Sequence, residues 1–217
     1  MRTIRVTGRG QLKLRADTTV ITLSLEGTEP EYADALRRSA EDTESLRELL
    51  AGFGFLRSDL KTLSFQVDAE YEGCQEEGVY RQRFKGYRYQ HRTKVEFPSD
   101  NELLGKLLYA LARSPVRAEF SLSYTVGDPE AAKNALLGKA VADAREKAAV
   151  LTQAAGVALG EIQSIDYSWG EIRFEARPMN RSMLASAKNM AEGSFDMDIE
   201  PEDIQVSDTV TVLWEIG

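Results

Sequence analysis

Few side chains in this sequence could carry chemistry. Cys74 and His91 are its single cysteine and single histidine, which excludes an intrachain disulfide framework, a multi-histidine metal site and any pair of histidines sharing acid–base work. Cys74 stands in Gly73-Cys74-Gln75-Glu76-Glu77, read as a turn whose carboxylates disfavour a thiolate nucleophile. His91 falls in a strand between Gln90 and Arg92; no Ser or Cys can be placed beside it, so packing or solvent contact is expected rather than base catalysis. Gly8-Arg9-Gly10 has the outline of a phosphate loop, yet no Lys-Ser/Thr follows and no helix opens there, so it reads as a strand end. Residues 81–94 interleave six basic residues with Tyr87 and Tyr89, a composition that stacks single-stranded bases. Against that, 27 Lys+Arg face 35 Asp+Glu for a net charge of −8, so cross-strand ion pairing is the expected use and no nucleic-acid partner is expected.

Four of the five methionines, Met179, Met183, Met190 and Met197, fall between residues 175 and 200. Thioethers can bind Cu(I), and Met179 and Met183 are spaced i, i+4, but copper sites usually recruit His or Cys as well. No metal, no cofactor and no catalytic residue is therefore assigned. Periodicity breaks down across this stretch, which reads as a mobile excursion or an adaptable contact surface, with Met179, Met183, Leu184, Met190 and Phe195 as the candidate assembly contacts.

The elements that must position these residues follow from periodicity. Residues 3–8 and 18–26 alternate as strands, the second with Val20, Thr22 and Ser24 on one face and Ile21, Leu23 and Leu25 on the other. From Pro30 the spacing turns helical, and Tyr32, Leu36, Ala40, Leu46, Leu50 and Phe53 form the expected apolar stripe. Pro30 suits the first turn, Gly52 and Gly54 the end. Strands are expected at 60–72 and 80–97, then a helix capped by Ser99 or Asp100, carrying Leu103, Leu104, Leu107, Leu108 and Leu111 and stopped by Pro115. A strand at 117–126 leads into the longest helix, 129–155, whose many alanines favour close packing, and strands at 161–174 and 204–215 follow. The openings Gly27-Thr28-Glu29-Pro30-Glu31 and Gly127-Asp128-Pro129-Glu130 recur, as do the exits after Gly54 and Gly156. The reading is α+β: two related strand-helix-strand units with helices packed on antiparallel sheet, plus a long central β-hairpin. No apolar run approaches the roughly 18 to 20 residues that span a bilayer, so no membrane insertion is expected.

The hairpin carries the sharpest expectation. Folding about Glu76 and Glu77 would put Glu72 opposite Arg81, Glu70 opposite Arg83 and Asp68 opposite Lys85 on one face. After Lys85 the apolar phase flips from Tyr80 and Phe84 to Tyr87, Tyr89, Val95 and Phe97, so Gly86 marks a β-bulge.

Together these segments resemble the SIMPL-domain family, the YggE-like proteins common in bacteria, whose animal relative associates with a pelle-like kinase. The resemblance runs from Ile4-Arg5-Val6-Thr7-Gly8-Arg9-Gly10 through the strand at 17–25 and Gly86-Tyr87. It continues in Ala140-Val141-Ala142-Asp143-Ala144-Arg145-Glu146-Lys147-Ala148, in Ala155-Gly156-Val157-Ala158-Leu159-Gly160, in Ile199-Glu200-Pro201-Glu202-Asp203-Ile204-Gln205-Val206 and in Val210-Thr211-Val212. It implies one domain over 1–217 with two intertwined subdomains, to which the loss of periodicity adds a mobile Met-bearing excursion at 175–200. It further implies an α+β fold, assembly of some members into rings, and links to envelope or oxidative-stress physiology, and it brings no catalytic residues. The family's usual Pro before the first-strand Asp is Ala16 here, and the export signal common in bacterial members is missing. The expectation is a non-enzymatic homo-oligomer assembling through strand edges, the hairpin or the Met-bearing segment. It would be cytoplasmic as the chain stands and exported if its N-terminus was trimmed. A small-ligand binder or enzyme with a carboxylate and tyrosine cleft between the two units is the first alternative, and a signalling adaptor the second.

Overall fold

The computed structural model describes residues 2–76, 79–167, 172, 174–176, 190–191, 194–195 and 199–217. The chain forms two compact units interleaved in sequence, one of Met1–Asp17, Thr125–Ala176 and Pro201–Gly217, the other of Thr18–Tyr124 and Arg177–Glu200. The fold is α+β, with helices packed on antiparallel sheets.

In the first unit β1 (Arg2–Leu14), β9 (Ile204–Ile216) and β6 (Leu159–Tyr167) form a sheet in the order β1-β9-β6. β1 and β9 pair along their whole length, from Arg2 opposite Ile216 to Leu14 opposite Ile204. Against them lies α3 (Pro129–Ala155). Its start is dictated locally: Asp128 Oδ1 accepts from the Ala131 amide at 2.8 Å, and Pro129 occupies the first turn. Its end is Gly156, whose φ of 70° is the left-handed cap that glycine adopts without strain. The buried ridge of α3 repeats every four residues: Ala132, Leu136, Ala140, Ala144, Ala148 and Thr152. Small side chains there let the helix settle onto glycine. A Cβ on Gly8 would collide with the Ala140 carbonyl and the Ala144 amide, and one on Gly10 with the Leu136 carbonyl. Gly8-Arg9-Gly10 is thus mid-strand rather than a strand end, and the reason for glycine is helix proximity.

The second unit holds a sheet in the order β3-β4-β2-β5. These strands are β2 (Thr18–Glu29), β3 (Lys61–Glu76), β4 (Val79–Pro98) and β5 (Glu119–Thr125). The helices α1 (Tyr32–Ala51) and α2 (Asn101–Arg113) pack on it around a core that includes Ile21, Leu23, Leu25, Leu46, Leu50, Tyr89, Val95, Leu104, Leu107 and Leu108. α2 begins where Asp100 accepts from the amides of Glu102 and Leu103 at 2.9 and 3.0 Å. Both strand-helix-strand passages are present, β2-α1-β3 and β5-α3-β6, and the chain passes from one unit to the other at Tyr124–Thr125.

One expectation about α1 is corrected. Its buried face is Ala35, Ser39, Thr43, Leu46 and Leu50, while Tyr32, Leu36 and Ala40 are exposed. The sheet beneath presents the large side chains Tyr89 and His91, so the helix turns small and hydroxyl-bearing residues toward them. Met179, Met183 and Leu184 lie outside the described residues. Met190 and Phe195 are backbone partners in a short antiparallel pair, β7 (Met190–Ala191) with β8 (Ser194–Phe195), and β8 lies against α2. Among the described residues, no helix is long and apolar enough to cross a membrane.

Candidate functional site

β2 ends at Glu29, opposite Tyr87, so beyond that point β3 and β4 pair only with each other and form a two-stranded arm. Its two faces differ in chemistry. On the polar face Arg83 Nε donates to Glu72 at 2.9 Å, and Lys85 Nζ stands 3.1 Å from Glu70. Thr28 Oγ1 also donates to Glu70 at 2.6 Å, and this bond, followed by Lys85, holds the Glu70 carboxyl below the usual carboxylate range. Further along, Arg88 pairs with Glu26, to which Gln90 donates at 3.1 Å. The expected ladder exists, but two residues out of register. Glu72 faces Arg83, and Glu70 faces Gly86, because the strands run on until Glu76 pairs with Val79. Arg81 faces Cys74, whose Sγ donates to the Arg81 carbonyl at 3.5 Å, so this thiol sits in a strand and not in the turn.

The bulge falls where the phase flip put it. Glu70 pairs with Gly86 and Tyr71 with Phe84, leaving Lys85 as the extra residue. Gly86 has φ 152°, and a Cβ on it would collide with the Glu29 carbonyl, so conformation and space both demand glycine.

The other face of the arm is aromatic. Tyr71 packs edge-on against Phe84 at 5.7 Å, Phe84 against Tyr87 at 5.3 Å, and Tyr87 against Tyr32, the first residue of α1, at 5.5 Å. These edge-to-face contacts contribute roughly 0.5 to 1.5 kcal/mol each beyond burial. The row remains open to solvent: Tyr71 is 57% exposed, Phe84 44%, Tyr32 48% and Tyr80 76%. Tyr80 lies over Gly73, where a Cβ would collide with its phenol.

Where the sheet passes under α1, a cleft of about 500 Å³ opens, lined by residues 25–29, Arg38, Asp42, Tyr89 and residues 115–117. The buried phenol of Tyr89 donates to Asp42 Oδ2, and Arg38 Nε lies 3.3 Å from Asp42 Oδ1. Burial first, then the Asp42 carboxylate, push the phenol well above its ordinary value, so Tyr89 is a hydrogen-bond donor and not a base. This cleft lies wholly within the second unit, whereas the carboxylate and tyrosine cleft was expected between the two units.

On the same sheet face His91 is buried with both ring nitrogens engaged, Nδ1 2.9 Å from Thr43 Oγ1 and Nε2 2.9 Å from Thr62 Oγ1, while Phe65 packs edge-on against the ring. The tautomer follows from Thr43, whose single hydroxyl proton is donated to the Ser39 carbonyl at 2.7 Å. Nδ1 must therefore carry the hydrogen and donate to Thr43, and Nε2 accepts from Thr62. Burial, and next the nearby Arg47 guanidinium, hold the imidazole below its ordinary value and hence neutral. The expectation of a packed histidine holds, but its two threonine partners carry no local signal in the sequence. Among the described residues, no group of three or more His, Cys, Asp or Glu side chains converges to hold a metal ion.

Two helix-covered antiparallel sheets, with an arm that is ionic on one face and aromatic on the other, define an α+β protein. The chain belongs to the SIMPL family, described as a protein of unknown function (DUF541), whose family model matches residues 4–214 of the 217. No curated protein matches it.

Proposed function

We propose that this protein acts by self-association, as a non-enzymatic SIMPL-domain homo-oligomer in a stress- or envelope-related role. The observation that carries the reading is the row of exposed Tyr71, Phe84 and Tyr32 joined through half-buried Tyr87 on an arm only two strands wide. A two-stranded hairpin is marginal alone, and a contiguous exposed aromatic surface is the usual mark of an interface. A second copy laid on the row would bury rings on both sides. Rings are well suited to this, giving large contact area at a small cost in side-chain entropy. The Met-bearing segment, with Met179, Met183, Leu184, Met190 and Phe195, supplies an alternative contact.

Native mass measurement tests this directly. The unaltered chain is expected to run as an oligomer, and Tyr71→Ser with Phe84→Ser to shift it toward smaller species while far-UV circular dichroism stays the same. A strict monomer at all concentrations would sink the reading. If the arm variant keeps its mass and replacement of residues 178–198 by a short Gly/Ser linker lowers it, the contact is the Met-bearing segment.

A second reading, binding of a small polar ligand, is favoured by the cleft over Tyr89, Asp42 and Arg38. Its lining residues include the acidic Glu29 and Asp42 and the basic Arg38 and Arg117, a mixture suited to a ligand bearing both charges.

A further inference from the structure

Thr62 is an exposed residue, yet its hydroxyl proton points into a buried imidazole. Each link in that arrangement is assigned by a bond already made. Ser39 takes the Thr43 proton, Thr43 takes the Nδ1 proton, and the Nε2 lone pair is left facing Thr62. This is the order of groups that activates a hydroxyl nucleophile: an O–H on an exposed residue, a neutral base within reach, and a third group that fixes the base's tautomer.

We propose that Thr62 is a base-activated hydroxyl that accepts an acyl group from an activated carboxylic ester, with His91 as the base and Thr43 as its positioning residue. Thr62 Oγ attacks the carbonyl carbon while its proton passes to His91 Nε2. The bond from carbonyl carbon to leaving oxygen then breaks, and the Nε2 proton goes to that oxygen. The products are a Thr62 ester, a free alcohol or phenol, and His91 returned to its neutral form.

The surroundings fit that charge flow. From α1, Thr43 and Arg47 face the imidazole; from β3, Thr62 and Phe65; the residue opposite on β2 is Leu25. Arg47 is the one charged group in that set. Burial, and then this cation, keep the resting imidazole neutral, as a base must be, and disfavour an imidazolium unless negative charge develops with it, as it does on the attacked carbonyl. Among the described residues, the buried Nε of Arg47 has no hydrogen-bond partner, while its Nη1 lies 3.6 Å from Glu44.

The probe is p-nitrophenyl acetate, with phenolate release followed optically and the acetyl group located by peptide mass mapping. Acetyl on Thr62 is expected, with release slowed on the order of 10²-fold in Thr62→Val and in His91→Gln and largely kept in Thr62→Ser. Acetyl found only on lysines, or release unchanged in Thr62→Val with its melting temperature preserved, overturns the proposal. Should His91→Gln fail to fold, the pH profile of the unaltered chain decides: a plateau above about pH 7 fits the imidazole, whereas a rate still climbing beyond about pH 8 marks lysine chemistry and overturns it.

Discussion

Gly8 of β1 lies directly beneath Ala140 of α3, so close that a methyl group on Gly8 would collide with the Ala140 carbonyl and sit 2.6 Å from the Ala144 Cβ. The neighbours are helix backbone and cannot swing aside. Gly8→Ala is therefore expected to destabilise the protein by about 3 kcal/mol or more, read from urea unfolding. Gly138→Ala is the control. Gly138 is exposed on the same helix with open space where its Cβ would stand, and the change should stabilise by roughly 0.5 to 1 kcal/mol. Equal effects at the two positions would refute the packing argument.

The hairpin register gives a prediction of sign rather than size. Glu72 and Arg83 are direct partners, whereas Glu70 and Arg83 are not. A double-mutant cycle on Glu72→Gln and Arg83→Gln should return a favourable coupling below about 1 kcal/mol, as exposed pairs do, and it should shrink in salt. The same cycle on Glu70 and Arg83 should return a smaller coupling. The reverse ranking would restore the register expected from the sequence.

His91 makes stability depend on pH in a definite direction. The folded imidazole is held below its ordinary value by burial and Arg47, and unfolding returns it to about 6.5. Above that value the ring is neutral in both states, and its contribution to stability is fully present. As pH falls through about 6.5 the unfolded chain takes the proton first, so stability drops, by at most about 1.4 kcal/mol per pH unit, until the folded ring titrates as well. Denaturation curves between about pH 4 and 8 should show this limb in the unaltered protein and a flatter one in His91→Gln.

What was legible in the sequence was what is locally encoded. α3 runs from Pro129 to Ala155 because its cap, its proline and its terminal glycine are all adjacent to it. The bulge at Gly86 showed as a change in apolar phase. The hairpin register did not, since the order of charges is satisfied two residues either way and only the extent of pairing near the turn decides. Nor was the buried face of α1 readable: Ala35, Ser39 and Thr43 face inward because of what the sheet presents, and helical spacing alone favoured Leu36 and Ala40. The candidate sites depend on contacts across long separations, Asp42 with Tyr89 and Thr43 and Thr62 with His91, which no local pattern announces.

The bond from Tyr89 to Asp42 yields the last prediction, and the two ends of it should not cost the same. Tyr89 is 1% exposed, and Asp42 also receives Arg38. Tyr89→Phe keeps the ring in the core and leaves the carboxylate with its guanidinium, so the loss should be about 1 kcal/mol, the net worth of one hydrogen bond. Asp42→Ala instead strands a buried phenol and removes the partner of Arg38, and should cost about 2 to 3 kcal/mol, because an unsatisfied donor bears its full desolvation penalty. The double variant should cost less than Asp42→Ala alone, since once the phenol is gone no stranded donor remains. Urea unfolding of the four proteins measures this. If the two single changes cost the same and add in the double variant, the phenol has another acceptor, and the cleft is not organised around this pair.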